Sequence, residues 1–260
     1  MNILDAYLTK APSLQNIIDI FSGEWSSRMP AGSNLIAMPG FAGLFEDARI
    51  DWAAEILGGF ADKTCLELGP LEGGHSYMMQ RMGAKKIISI EANSRAFLKC
   101  LCIKEIFHLD KVEFRYGDFR NFFAENSDHY DILIASGVLY HMLDPLLLIK
   151  QMSQVSDHLL IWTHYYDASV INARSDLRPK FGRLRDVEKD SARYQWVDYS
   201  YDSALSWKGF CGGSAPTSRW LTRESIVNYI RANGYNRIDI SFEAKDHPNG
   251  PSFAVCAQRI

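Results

Sequence analysis

No uninterrupted apolar run in this 260-residue sequence approaches the ~20 residues that would cross a bilayer, so no membrane span is expected. Charge of one sign is also missing. The 28 Lys and Arg stand against 31 Asp and Glu, a formal net charge of −3, which leaves no general basic footprint for nucleic acid. Cysteine is sparse and odd in number. Its five copies, Cys65, Cys100, Cys102, Cys211 and Cys256, are too scattered for a disulfide framework. Cys100 and Cys102 lack a second Cys/His pair at ligand spacing, so neither a zinc site nor any other metal is expected. The opening MNILDAYLTKAPS carries Asp5 early, without the basic start and apolar block of a signal peptide. A reducing cytoplasm fits these features best. Internal repeats and low-complexity tracts are absent. What remains, 47% hydrophobic and 23% charged, is the ordinary composition of a soluble α/β protein of one large domain or two small ones.

The most informative stretch is TCLELGPLEGGHS, residues 64–76. Thr64 to Leu68 read as a short buried strand, broken by Gly69-Pro70, and Gly73-Gly74 open a helix running towards Met82. Glycines at such a turn let a ligand approach the backbone, and the helix start turns free N–H groups towards it. The dinucleotide fingerprint G-x-G-x-x-G is not met, because Leu71 stands where its second glycine would be. Glu67 lies inside the strand end, where a carboxylate suits a hydroxyl or an ammonium better than a phosphate.

The strand KKIISIE at 85–91 ends in Glu91, 24 positions after Glu67, with Ala92 and the helix-start pair Asn93-Ser94 behind it. An acid at that strand end can accept hydrogen bonds from both vicinal hydroxyls of a ribose. A third strand, 111–116, leads to Gly117-Asp118-Phe119. A fourth, 130–136, ends at Ser136-Gly137 and runs into GVLYHMLDP. Helices are expected at 94–107 and 144–155, and a fifth strand at 157–163. Strands alternating with helices indicate a parallel sheet with ligands gathered at its carboxyl edge.

An acid ahead of a glycine-rich turn, followed by acids at the next two strand ends, resembles the class I S-adenosylmethionine-dependent methyltransferases. The resemblance spans about residues 60–165, and Leu71 departs from it where that family often has its middle glycine. GVLYH is similar to a run in enzymes that carboxymethylate wobble uridine in tRNA, although the likeness is too short to carry a substrate. The resemblance implies S-adenosyl-L-methionine as cofactor, with contacts from Glu67, Gly69, Leu71, Gly73 and Gly74 in the first turn. It implies Glu91 and Ala92 at the ribose, Asp118 at the adenine amino group with Phe119 covering the ring, and Ser136-Gly137 after the fourth strand.

The implied fold is a Rossmann-like, doubly wound, seven-stranded and mostly parallel sheet. Strands at 236–243 and 252–259, joined through KDHPNGP, form its antiparallel terminal hairpin. Helix 222–233, with Thr222 as N-cap and Gly234 behind it, precedes them. Residues 1–60 are expected as a helical lid, with helices at 13–21 and 44–57 and with Trp25, Phe41 and Phe45 over the ligand. Residues 61–163 and 221–260 form the methyltransferase core.

Residues 164–220 form a cap insertion rich in aromatics, among them Tyr165, Tyr166, Phe181, Tyr194, Trp196, Tyr199, Tyr201, Trp207 and Phe210. These suit a substrate pocket, the core of the cap itself or a homodimer interface. The interrupted basic run Lys180, Arg183, Arg185 and Lys189 reads as a solvated helix face.

Methyl transfer needs position, orientation and sometimes a base. His141 and His164, at the ends of the fourth and fifth strands, are the base candidates, and Tyr140 is a candidate for the channel wall. His75 reads as a capping residue or a neighbour of the cofactor carboxylate. His108, His129 and His158 read as exposed. The expected activity is O- or N-methylation of a small organic acceptor. The alternatives are a tRNA- or nucleoside-modifying methyltransferase and a cofactor-binding protein that acts through interaction alone. An NAD-dependent oxidoreductase is disfavoured by Leu71 and the terminal hairpin.

Overall fold

The computed structural model describes residues 3–206 and 212–260; Trp207, Phe210 and Cys211 lie outside the described residues. Helix α1 (Leu14–Asp19) is capped by Ser13 and leads through a two-stranded parallel pair, β1 (Trp25–Ser27) and β2 (Pro39–Ala42), into α2 (Ala48–Leu57). The second helix begins at Ala48 rather than at 44, because the Asp47 side chain accepts from Arg49 N and fixes the N-cap. Gly58, at φ +74, closes it in the left-handed conformation that glycine adopts freely.

The core then alternates: β3 (Thr64–Leu68), α3 (Gly74–Arg81), β4 (Lys86–Glu91), α4 (Ser94–Ile106), β5 (Val112–Tyr116), α5 (Phe119–Glu125), β6 (Ile132–Ser136), α6 (Pro145–Val155) and β7 (His158–His164). Helix α5 is an addition to the sequence reading, which leaves 117–129 unassigned. It is short and begins where Asp118 caps Arg120 N.

After α7 (Ala168–Ala173) come β8 (Phe181–Lys189), β9 (Ala192–Ser200) and β10 (Thr217–Leu221), a separate antiparallel sheet in the order β10-β9-β8. The basic run lies mainly on edge strand β8, not on a helix. Exposed charge along an edge strand discourages pairing with another chain. Helix α8 (Arg223–Ala232), capped by Thr222, and strands β11 (Arg237–Ala244) and β12 (Ser252–Gln258) complete the chain.

The main sheet has the order β11-β12-β7-β6-β3-β4-β5. All its neighbours are parallel except those of β12, which runs antiparallel to both β11 and β7. Alternate residues feed two apolar layers. Leu133 and Ala135 of β6 face the layer containing α6 and α8, whereas Ile132 and Ile134 face the layer containing α2, α3 and α4. Both faces of such a sheet are covered, so its strands read as nearly continuous apolar runs. A third cluster, built from Tyr166, Ile171, Leu177, Phe181, Val197 and Trp220, gives the 164–220 segment its own small core.

Candidate functional site

Strands β3, β4, β6 and β7 end on one edge, on either side of the point where the strand order reverses, and a cavity of about 710 Å³ opens there. At one end, Glu91 completes β4 and is 8% exposed. Its carboxylate accepts from Leu71 N at 3.1 Å and from Asn93 N at 2.8 Å, which ties the first turn to the second. Burial raises its pKa, and the backbone donors only partly oppose that. Asp118 lies beyond β5 and pairs with Arg120 at 2.5 Å, while Arg120 reaches Ser214 of the loop before β10 at 3.2 Å.

Leu71 adopts φ +56, the backbone conformation that a glycine would take there. The turn therefore keeps its shape without its glycine, at a cost of about 1–2 kcal/mol. Gly74 has a different purpose. A Cβ there would sit 2.6 Å from the backbone of Leu44, so the missing side chain lets the N-terminal segment lie on the turn. Glu72, fully buried, fastens that segment further. It accepts from Ser26 N at 2.9 Å and Ser27 N at 2.7 Å and pairs with Lys99 at 2.5 Å.

Beneath the turn, Glu67 accepts from Ser76 Oγ and Ser89 Oγ through one oxygen. Its other oxygen, Oε1, has no hydrogen-bond partner and lies 3.6 Å from His75 Nδ1. His75 Nε2 is 2.9 Å from Asp47 Oδ2, and Asp47 in turn pairs with Arg49 at 2.5 Å. Burial pushes the Asp47 carboxyl up, but hydrogen bonds from His75 and Arg49 outweigh it and hold the group well below the usual range. For Glu67 the balance is reversed, and burial raises its pKa.

The opposite end of the cavity is walled by Tyr140, His141, Trp162, His164 and His247. His164 Nδ1 faces the carbonyl oxygens of Gly250 at 2.8 Å and Pro251 at 3.2 Å, so Nδ1 carries the proton and Nε2 is left as an acceptor. Its ring stacks on Trp220 at 5.1 Å, with Tyr140 edge-on at 4.6 Å. Burial lowers its pKa to about 4. His141 lies 2.6 Å from Tyr201 Oη, and burial lowers its pKa to about 3. The Arg49 guanidinium sits 4.5 Å from the centre of the Trp162 ring.

Of the residues singled out from sequence, Gly69, Leu71, His75, Glu91, Ala92, Asp118, Phe119, Ser136, Gly137, Tyr140, His141 and His164 line this cavity. Glu67, Gly73 and Gly74 lie behind its wall. Trp25 and Phe45 do not roof it: both are buried in the layer containing α2 and α3, and Phe41 is exposed. The N-terminal segment reaches the cavity instead through Ala42, Leu44, Asp47 and Arg49. His158 is half-buried, with Nδ1 3.1 Å from Asp131 O.

Asp47, Arg49, Trp162, His247 and Asn249 escaped the sequence reading. Asp47 had a signal, a helix-capping aspartate followed by an arginine; the others lie on helix, strand and turn positions that no local pattern marks. Among the described residues no group of His, Cys, Asp or Glu is placed to hold a metal ion, and no helix is long and apolar enough to cross a membrane.

No protein-family model matches the chain, and no curated protein matches its sequence. Solved structures do match it. The N-terminal domain of EvdMO1, crystallised in the presence of S-adenosylhomocysteine and D-fucose, is 21% identical with a TM-score of 0.69, over 95% of each chain. Against the longer EvdMO1 structure, the match spans 46% of that chain. An S-adenosylmethionine-dependent methyltransferase from Mesorhizobium loti is 14% identical with a TM-score of 0.56, over 84% of this chain and all of the other. The 1,6-didemethyltoxoflavin-N1-methyltransferase of Burkholderia thailandensis, with 1,6-didemethyltoxoflavin and S-adenosylhomocysteine bound, is 11% identical with a TM-score of 0.53, over 84% and 78%. The fold is that of the class I S-adenosylmethionine-dependent methyltransferases.

Proposed function

We propose that this chain is an S-adenosylmethionine-dependent methyltransferase that methylates oxygen or nitrogen of a small organic acceptor. One observation carries the proposal: a single cavity joins the carboxylates at the ends of β4 and β5 to a chamber walled by aromatic and imidazole rings. The residues present fit the cofactor. Glu91 and Asp118 offer carboxylates for ribose and adenine, and Phe119 offers an apolar face. The bound cofactor would supply a methyl group on a sulfonium, an electrophile that needs no metal.

The chain's own contribution is to bind, orient and exclude water, with His164 Nε2 available to take a proton and His141 as the second candidate. Lys180, Arg183 and Arg185 lie outside the cavity wall, which favours a small acceptor over a nucleic acid. The structural neighbours point the same way, since their solved forms hold or name D-fucose, 1,6-didemethyltoxoflavin and magnesium protoporphyrin IX.

Calorimetric titration with S-adenosylhomocysteine and with NAD tests the cofactor assignment. Binding of the former alone is expected; binding of NAD alone refutes it. A protein that binds the cofactor but turns over no member of a broad small-acceptor panel would instead act through interaction.

A further inference from the structure

The acceptor end of the cavity presents hydrogen-bonding groups without net charge. Among the described residues, the charged side chains in the whole wall are Asp47, Arg49, Glu91, Asp118 and Arg120. Asp47 and Arg49 neutralise each other, as do Asp118 and Arg120, and Glu91 belongs to the other end. The two histidines that meet edge-on beside β12, with ring centres 4.9 Å apart and planes at 64°, are opposite in character. His164 donates from Nδ1 to backbone carbonyls, which leaves Nε2 an acceptor. His247 accepts from Asn249 N at Nδ1, 3.2 Å away, so its Nε2 carries the proton and donates. Burial lowers the pKa of both rings, keeping them neutral at pH 7.

A neutral amine has a single lone pair, which must attack the methyl carbon and so cannot also accept a hydrogen bond, and a carboxylate offers only acceptors. A hydroxyl offers one of each and matches the pair. Around that pair stand further neutral polar groups, from His141, Asn249 and Ser252, and the aromatic side chains of Tyr140 and Trp162, the latter with Arg49 over one face. A phenol, with one or two polar atoms, would strand most of these groups, whereas a saturated ring bearing several hydroxyls engages them and lays its C–H face on the aromatic rings.

Resting on the methyltransferase reading, we infer that the acceptor is a neutral polyhydroxylated ring, of the sugar class, whose reacting hydroxyl donates to His164 Nε2 and accepts from His247 Nε2–H. During transfer an oxygen lone pair forms the new bond to the methyl carbon, and the carbon–sulfur pair stays on sulfur. The hydroxyl proton passes to His164 Nε2, leaving its bonding pair on oxygen. The positive charge thus moves from the sulfonium to the imidazolium, and the total is unchanged.

The test uses protein saturated with S-adenosylhomocysteine, titrated by saturation-transfer NMR with the methyl glycosides of D-fucose and D-glucose and with D-glucuronate and D-glucosamine. Long-range ¹H–¹⁵N spectra read the two imidazole tautomers. Both neutral glycosides should bind about tenfold or more tightly than both charged sugars, as expected for a site that would leave a charge unpaired. His247→Ala should lose about fivefold or more in glycoside affinity, and His247→Gln, which restores a donor, should recover part of it.

Three results would overturn the inference: charged sugars bind equally or better, the protein ignores every neutral sugar while holding the cofactor product, or His164 is protonated at Nε2. Failure to bind S-adenosylhomocysteine at all would strike the methyltransferase reading instead, so the two failures are separable.

Discussion

Replacing Glu91 by Gln separates the two tasks assigned to this carboxylate. A carboxylate offers about four acceptor positions. Leu71 N and Asn93 N occupy two, at 3.1 and 2.8 Å, one on each oxygen, the Ala92 backbone also donates, and Glu91 lines the cavity with what remains. The amide keeps the volume but turns its NH₂ towards one of those N–H groups, stranding a buried donor at a cost of about 1–3 kcal/mol. For a chain of this size that corresponds to a melting temperature lower by roughly 2–10 °C. The amide also loses one charge-assisted hydrogen bond to a ribose hydroxyl, about 1.5–3 kcal/mol, which weakens S-adenosylhomocysteine roughly 10- to 150-fold. Calorimetry on Glu91→Gln checks both quantities, with adenine alone as a control that should lose much less. An affinity for S-adenosylhomocysteine within threefold of wild type, in a protein that melts several degrees lower, would mean that Glu91 only braces the turn.

Three further outcomes are expected. Lys99→Met removes the cation from the buried pair with Glu72 and should destabilise the protein by about 3–5 kcal/mol in urea unfolding; adding Glu72→Gln should recover part of this, because the unpaired charge is gone. Gly74→Ala forces a methyl against the Leu44 backbone and should cost about 1–3 kcal/mol, read as a lower melting temperature. Asp47, His141 and His164 give the pH dependence components of one sign, and the raised carboxyls Glu67 and Glu91 oppose them. Asp47, with its folded pKa depressed, contributes stability that is complete above its unfolded value of about 4 and is lost as pH falls below it. His164, also depressed, binds fewer protons when folded, so its contribution is complete above about 6.5 and declines as pH falls towards about 4. Urea unfolding from pH 7 to 4 should show a stability decline shallower in His164→Gln than in wild type, and equal slopes in the two proteins would contradict the burial of a neutral His164 imidazole.

The parts legible in the sequence are those governed by local physics. β3, β4, β6 and β7 are short apolar runs because they are covered on both faces, and a run of that kind needs no knowledge of its partners to be read. The acids at the ends of β4 and β5 follow from the same pattern, since a strand that ends in a carboxylate at the carboxyl edge of a parallel sheet places it at the ligand crevice. Leu71 shows the limit of motif reading. The letter departs from glycine, yet the backbone at φ +56 does not, because the hydrogen bond from Leu71 N to Glu91 holds the turn in shape.

Only the tertiary structure decided the rest. Trp25 and Phe45 could be placed in the N-terminal segment but not in its interior, because nothing local says which face of a loop turns inward. Strands β8 to β10 escaped detection because they pair with one another across the insertion, and β8 is an exposed edge whose charges imitate a solvated helix. Helix α5, seven residues long, is too short to show a helical period and passes for loop. The acceptor chamber was the least legible part of all. It is assembled from Arg49 on α2, Trp162 and His164 on β7, and His247 and Asn249 in the turn before β12, residues as many as 200 positions apart. The donor or acceptor character of each histidine there is set by a backbone group that folding brings to it: the Gly250 carbonyl for His164 and the Asn249 amide for His247. The sequence determined the sheet and the edge where a ligand would lie; the fold alone determined which nitrogen carries a proton, because that depends on hydrogen-bond partners that do not exist in the unfolded chain.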